Sequence, residues 1–340
     1  MIISKHWSHS TTMAAVLVDE PGAHSQLRIA ELAVPVPNQH QVLVRVHAAG
    51  VNRADLAQRA GIYPPPFGES EVLGLEVAGT VVAVGAESNM AWLDQAVFGL
   101  VPGGGYAEFA LIEADQLFSK PENWSFEQAA GAAEVFLTAY QALFTIGGLK
   151  AGDSALVHAG ASGVGTAAIQ LAKAVGATVA VTVGSADKAE ACLALGATFA
   201  VQYKTEDFAD VLSQVFLQGF NVVIDPVAAD YLQKDLQVLA LDGKIVVLAM
   251  MGGRKVAALD MAPMFKKRGQ IICSTLRNRS NSYKAELVAQ LTKDFYSAFT
   301  NGQISPVLGL VVPWQQAALA HQQLASNQLV GKAVLQIIAS

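Results

Sequence analysis

The chain has 340 residues, about two domains, of which 52% are hydrophobic and only 15% charged. Disorder needs low hydrophobicity and high charge and is excluded; the most apolar stretch without Asp, Glu, Lys or Arg, Ser154 to Ala172, is interrupted by Ser154, His158, Ser162, Thr166 and Gln170, so no membrane span is expected. With a net charge of −6 and a single short basic cluster, Lys266-Lys267-Arg268, there is no basic footprint and no nucleic-acid partner is expected.

Residues 1–12 hold Lys5 but no apolar run of signal-peptide type, and they read as an N-terminal extension with little structural role. Ala14–Val18, Gln41–Ala48, Glu76–Val84 and Tyr106–Ile112 are short strand-like runs separated by Pro and Gly, as in Pro35-Val36-Pro37 and Pro102-Gly103-Gly104-Gly105. They predict a small antiparallel barrel or sandwich. Phe126–Phe144 is an Ala-rich helical pattern. From Asp153 strands and helices alternate. Strands are predicted at Ser154–His158, Thr178–Val183, Phe199–Tyr203, Asn221–Asp225, Lys244–Leu248 and Gln270–Ser274. Helices are predicted between them, at Gly163–Val175, Ala186–Leu195, Glu206–Leu217, Tyr231–Ala240 and Ala258–Lys267. Six strands with intervening helices predict a doubly wound parallel sheet, an α/β fold of Rossmann type. Such strands are buried on both faces and read as continuous small-aliphatic runs, which explains the apolar excess. A helix (Tyr283–Thr300), a strand (Val307–Val312), a helix (Trp314–Ala325) and a strand (Lys332–Ile338) remain. That tail is too short for a domain of its own and is expected to return to the N-terminal one. Cys192 and Cys273 form no CxxC pair, so a reducing, cytoplasmic compartment is the expectation.

The strongest chemical signal is Leu156-Val157-His158-Ala159-Gly160-Ala161-Ser162-Gly163-Val164-Gly165. A strand ends, a glycine turn follows, and a helix begins, aiming backbone N–H groups and the positive helix end at a pyrophosphate. Gly160 and Gly165 fill the first and third positions of G-x-G-x-x-G, and Ser162 takes the second. NAD-binding chains usually place an Asp or Glu at the tip of the second strand, against the ribose 2′-OH. Here that tip is Gly184-Ser185 and has no carboxylate. Ser185, Lys188 and Tyr203 are instead suited to a 2′-phosphate, so NADPH is favoured over NADH.

Asn52-Arg53-Ala54-Asp55, Gly61-Ile62-Tyr63-Pro64-Pro65-Pro66, Gly74-Leu75-Glu76-Val77-Ala78-Gly79, Gly103-Gly104-Gly105-Tyr106-Ala107-Glu108, His158–Gln170, Tyr203–Phe208 and Gly331-Lys332 together resemble the medium-chain dehydrogenase/reductase superfamily over residues 13–340. Within it the chain is similar to the zinc-free quinone oxidoreductases. The resemblance implies a discontinuous GroES-like β-barrel catalytic domain at 13–135 and 280–340, and a Rossmann NADPH-binding domain of six parallel strands at 136–279. Zinc alcohol dehydrogenases of the superfamily carry Cys where this chain has Asn52, and Gly-His-Glu where it has Gly74-Leu75-Glu76. Catalytic zinc needs three protein ligands, and only Glu76 is left, so no metal is expected.

Without a Lewis acid the implied reaction is direct hydride transfer from nicotinamide C4 to a quinone in the cleft between the domains; an enone or 2-alkenal acceptor is the alternative. A non-catalytic nucleotide-binding role, crystallin-like or RNA-binding, is a further one. The resemblance points to Tyr63, Asn52 and Asp55 as first candidates for the chemistry. Tyr63 precedes a stiff proline run and would bond the acceptor carbonyl or donate a proton, Asn52 would bond nicotinamide or substrate, and Asp55 would order its loop. Gly160, Ser162, Gly163, Val164, Gly165, Ser185, Lys188, Tyr203 and Lys332 are the cofactor-binding candidates. The segment Ser274–Arg279 is expected near the substrate entrance. A homodimer is expected through Gln270–Ser274, an apolar edge strand that would otherwise be exposed.

Overall fold

The computed structural model describes residues 1–5, 7 and 10–338. It divides into two compact units, residues 1–135 with 277–340, and residues 136–276.

The first unit begins with β1 (Ile2–Ile3), β2 (Thr12–Val18), β3 (Leu27–Ala33), β4 (Gln41–Val51), α1 (Arg53–Arg59), β5 (Glu76–Val84), β6 (Ala96–Leu100), β7 (Phe109–Glu113), β8 (Leu117–Ser119) and α2 (Phe126–Ala130). Helix α3 (Ala133–Tyr140) leads into the second unit. That unit runs through β9 (Ser154–Val157), α4 (Gly163–Ala174), β10 (Thr178–Val183), α5 (Ala186–Leu195), β11 (Phe199–Gln202), α6 (Phe208–Val215), β12 (Phe220–Asp225), α7 (Tyr231–Val238), β13 (Leu239–Val247), α8 (Ala262–Lys267) and β14 (Gln270–Cys273). The chain then returns to the first unit as α9 (Asn281–Thr300), β15 (Leu308–Pro313), α10 (Ala317–Ala325) and β16 (Lys332–Gln336).

In the first unit β5 lies beside β4 and β6, and β4 also pairs with β7 and with β16 of the returning segment. All these pairings are antiparallel except β15 with β16. Strand β5 is buried almost throughout because it is covered on both faces, and its apolar side chains join those of β4, β6 and β7 in one core. The N-terminal extension corrects the sequence reading. Ile2 and Ile3 pair with Val84 and Ala83 of β5, and the Trp7 ring packs 5.6 Å from Phe109. Apolar Ile and Trp side chains have a core edge to cover, which a reading of the stretch as polar missed. His6, Ser8 and His9 of that stretch lie outside the described residues.

The second unit is a fully parallel sheet in the order β11-β10-β9-β12-β13-β14. This is the 3-2-1-4-5-6 order of doubly wound nucleotide-binding sheets. Strands β9, β10 and β12 are central and buried along nearly their whole length, as continuous apolar strands should be.

Two local departures from the sequence reading matter for the site. The Ala-rich run is not one helix, because α2 ends at Ala130 and α3 starts at Ala133. Gly131 separates them, pressed so closely on the returning segment that a Cβ there would lie 3.0 Å from Leu308 Cδ2. The returning segment also joins the first unit at Arg277, ahead of residue 280, because the Arg277 guanidinium bonds Gln58 and Pro102 there.

Candidate active site

The glycine turn of the second unit is built by strand β9 feeding helix α4. Ala159 holds a left-handed φ of +54°, and the turn closes at Gly160, whose N–H donates to Thr182 O. A Cβ on Gly165 would lie 2.4 Å from Gly160 O, so the helix can leave the turn this closely only with glycine there. Ser162 is the N-cap of α4, and its Oγ accepts the Gly165 N–H at 3.0 Å. Its hydroxyl proton is thereby left to donate outward. Gly163 and Val164 occupy the first helical positions, where backbone N–H groups face out of the helix end. These residues fit a pyrophosphate.

At the tip of β10, Gly184 faces the Tyr203 hydroxyl, which lies 3.0 Å from where a Gly184 Cβ would stand. Ser185 stands at the N-cap position of α5 without a side-chain capping bond, and Lys188 sits half-buried in its first turn. Lys204, which the sequence reading did not single out, places its Cε 3.6 Å from the same point beside Gly184. Its only signal in the sequence is adjacency to Tyr203. The tip is hydroxyl-rich and flanked by lysine, which fits a 2′-phosphate. His158, next to the turn, is a structural residue. It is buried against Phe208 and Tyr231 and bonds Asp235 at 2.7 Å and Thr182 at 2.9 Å.

The first unit gathers a buried polar centre. Asn52 precedes α1, and its N–H donates to Asp55 Oδ2 at 2.7 Å. Asp55 Oδ1 accepts the Gly74 N–H at 3.0 Å, and Tyr106 donates its hydroxyl to Oδ2 at 3.2 Å. Asp55 is fully buried, and desolvation pushes its carboxyl up to about 6 against the opposing pull of those donors. It ties the Asn52 and Gly74 loops together. Tyr106 also meets His321 Nε2 at 3.1 Å, and burial drives that imidazole down to about 4.

Glu76, also fully buried, is the hub. Its Oε1 accepts from Asn52 Nδ2 at 3.0 Å and forms an ion pair with Lys332 Nζ at 2.7 Å. Its Oε2 accepts the Glu134 N–H at 2.9 Å, a donor available because the helix is broken at Gly131. The carboxylate needs Gly50 beside it, since a Cβ there would lie 2.2 Å from Oε1. Lys332 Nζ donates further to Val51 O at 2.8 Å and Asn52 Oδ1 at 2.7 Å. Two hydrogen bonds and the ion pair with Glu76 thus hold the Lys332 ammonium inside the first unit. The carboxyl of Glu134, half-buried, is pushed up to about 7 by desolvation and by Glu76. Sequence reasoning missed Glu134, Tyr106 and His321, whose partners are far away in the chain.

Tyr63 lies on the loop after α1, half-buried, with the Arg277 guanidinium carbon 5.6 Å from its ring centroid. Burial raises its phenol pKa, and Arg277 opposes that rise. The structure thus groups Asn52 and Asp55 with Lys332, and places Tyr63 with Arg277. It gathers Gly160, Ser162, Gly163, Val164 and Gly165 at one turn, and sets Ser185, Lys188 and Tyr203 about the neighbouring strand tip.

A doubly wound sheet with a glycine turn at its first strand, carried on the same chain as an antiparallel unit with a buried polar centre, defines a dehydrogenase-type oxidoreductase. Residues 38–122 match the family described as alcohol dehydrogenase GroES-like domain, and residues 163–293 match that described as zinc-binding dehydrogenase. The chain is 32% identical to the quinone oxidoreductase of Homo sapiens over 328 residues, covering 95% of this chain and 97% of that one. It is 31% identical to the synaptic vesicle membrane protein VAT-1 homolog of Rattus norvegicus over 316 residues, covering 88% of this chain and 78% of the relative. The crystal structure of Escherichia coli quinone oxidoreductase complexed with NADPH superposes with a TM-score of 0.84 at 28% identity, covering 96% of this chain and 100% of that one. The chain belongs to the medium-chain dehydrogenase/reductase family of oxidoreductases.

Proposed function

We propose that this chain is a zinc-independent, NADPH-dependent quinone oxidoreductase. The observation that carries the metal-free reading is the contact of Lys332 with Asn52 and Glu76. Where zinc relatives present a thiolate and an imidazole, this chain presents a carboxamide and Leu75, and an ammonium already neutralises the remaining carboxylate. That donor set suits a hydrogen-bonded structural centre and not a divalent cation. Among the described residues no group of three His, Cys, Asp or Glu side chains could hold a metal ion.

Gly160, Ser162, Gly163, Val164 and Gly165 would hold the pyrophosphate, and Ser185, Lys188, Tyr203 and Lys204 the 2′-phosphate. NADPH, when bound, supplies a hydride. The chain's own residues supply binding, orientation and the remaining proton. Asn52, fixed by Glu76 and Lys332, offers its amide as a rigid hydrogen-bonding edge. Asp55 keeps the Asn52 loop in place. Tyr63 hydrogen-bonds the acceptor oxygen as negative charge develops there and stands to protonate it.

A quinone accepts hydride without a Lewis acid because its ring stabilises the anion, and this favours it over an alcohol or simple ketone. Initial rates with an ortho-quinone and a short 2-alkenal, each with NADPH and with NADH, test the reading. The expected result is quinone reduction with NADPH, unchanged by a zinc chelator. Loss of activity on chelation overturns zinc independence, and a faster rate with the alkenal makes the chain an enone reductase.

Strand β14 is an edge strand, paired only with β13, and its Ile271 and Ile272 are half-buried. A second copy pairing there would remove the exposed edge, so we place the protein as a homodimer, which light scattering checks. No described helix is long and apolar enough to cross a membrane. Both cysteines are free thiols, which suits the reducing cytoplasm.

A further inference from the structure

Arg277 is the first residue of the returning segment, and its side chain is buried with 5% of its surface exposed. A guanidinium so enclosed needs a reason, because its desolvation is costly. Its partners come from three stretches of the first unit, at Gln58, Glu69 and Pro102. Nη1 donates to Gln58 Oε1 of α1 at 2.9 Å, and Nη2 donates to Pro102 O at 3.2 Å. Nε lies 3.8 Å from Glu69 Oε2 but makes no hydrogen bond. The flat cation lies over the Tyr63 ring. Lys284, nearly buried, donates to Arg277 O at 2.8 Å and fixes the backbone that carries it.

We propose that Arg277 is a positioning residue for the reaction, its guanidinium anchored on α1 and on Pro102 and laid over the Tyr63 ring, supplying the positive field in which the phenol donates to the acceptor. The inference rests on the Tyr63 role proposed above. A guanidinium suits this task better than an ammonium, because its plane stacks on a ring while its edge bonds two fixed acceptors. The charged groups acting on the Tyr63 hydroxyl are Arg277, which favours phenolate, and Glu134 and Glu69, which oppose it. Arg277 is the cation of that set, so its removal weakens Tyr63 as a donor.

The test is a double-mutant cycle of R277M and Y63F in the full-length enzyme. It is read as kcat and KM for an ortho-quinone at saturating NADPH, with R277K in parallel. R277M is expected to lower kcat about tenfold in the parent chain and less than twofold in the Y63F background. R277K is expected to recover about half of the loss on a logarithmic scale, leaving kcat about threefold down. Should R277M fail to fold, the R277K/Y63F cycle carries the test, with an expected threefold loss that disappears in Y63F. A second readout needs no cofactor. The ring-carbon NMR signal of Tyr63 in labelled protein, assigned with Y63F, should titrate at higher pH once Arg277 is replaced.

Losses that multiply independently in the cycle, or an unmoved Tyr63 titration, overturn the inference and leave the Tyr63 role standing. A Y63F enzyme with unchanged kcat and KM overturns that role and the inference together.

Discussion

The phosphate turn of the second unit and the polar centre of the first are both sites built around glycine, yet they are held by different forces. At the turn, shape is set by backbone. Gly165 allows helix and strand to meet, and a single hydroxyl, Ser162 Oγ, caps the helix. At the centre, shape is set by charge. Glu76 and Lys332 neutralise each other out of water, and Asn52, Val51 O and the Glu134 N–H complete their hydrogen bonds. A backbone site fails when a side chain is added, whereas a charge site fails when one is removed. The two therefore call for opposite mutations.

The largest effect is expected at the charge site. Lys332→Met leaves Glu76 buried and unpaired, and breaking a buried pair from one side costs about 3–5 kcal/mol. Urea unfolding should show that loss, and Glu76→Gln in the same chain should recover a substantial part of it. If the double variant is as unstable as the sum of the singles, charge is not what holds the centre. At the turn, Gly165→Ala brings a Cβ against the Gly160 carbonyl. Overpacking of this kind costs about 2 kcal/mol, and NADPH affinity measured by fluorescence should fall with it.

The same contrast sets how much of each site is legible in the sequence. The turn was legible because its residues are consecutive and because strand, glycine and helix follow each other in order. The centre was only half legible. Asn52 and Asp55 are neighbours, but Lys332 reaches Asn52 from 280 positions away and His321 reaches Tyr106 from 215 away. Periodicity carries no information about such pairs. Glu134 was hidden differently. Its run reads as uninterrupted helix, and only the crowding of Gly131 against the returning segment opens the break that turns the Glu134 N–H toward Glu76. The role of Ile3 and Trp7 in covering the edge of the core was missed because a short stretch has no pattern to read.

A smaller effect is expected where the two kinds of force meet, at the β10 tip, since a bare glycine there is flanked by lysines. Ser185→Asp with Lys188→Ala puts a carboxylate where a 2′-phosphate would sit and removes a lysine. The ratio of NADPH to NADH affinity should fall at least tenfold, about 1.4 kcal/mol, with NADH binding little changed. Lys204→Ala should add a few-fold loss for NADPH alone. An unaltered ratio would remove the 2′-phosphate from this tip.

The smallest effect separates charge from packing within the centre itself. Glu134 has its carboxyl raised from 4.5 to about 7, so its ionised form is the disfavoured one in the folded chain. Below pH 4.5 the carboxyl is protonated folded or unfolded and costs nothing. Between pH 4.5 and 7 the unfolded chain releases the proton while the folded chain keeps it, so stability falls as pH rises. Above pH 7 the full cost is present. Glu134→Gln keeps the backbone N–H that Glu76 accepts and removes the titration. It should therefore stabilise the protein by about 1 kcal/mol at pH 8, a value trimmed by solvent around the half-buried group, and by only a small fraction of that at pH 4.5. Urea midpoints at pH 4.5, 6 and 8 measure the trend. A gain of equal size at all three would come from packing, and the polar centre would then resemble the phosphate turn more closely than its buried charges imply.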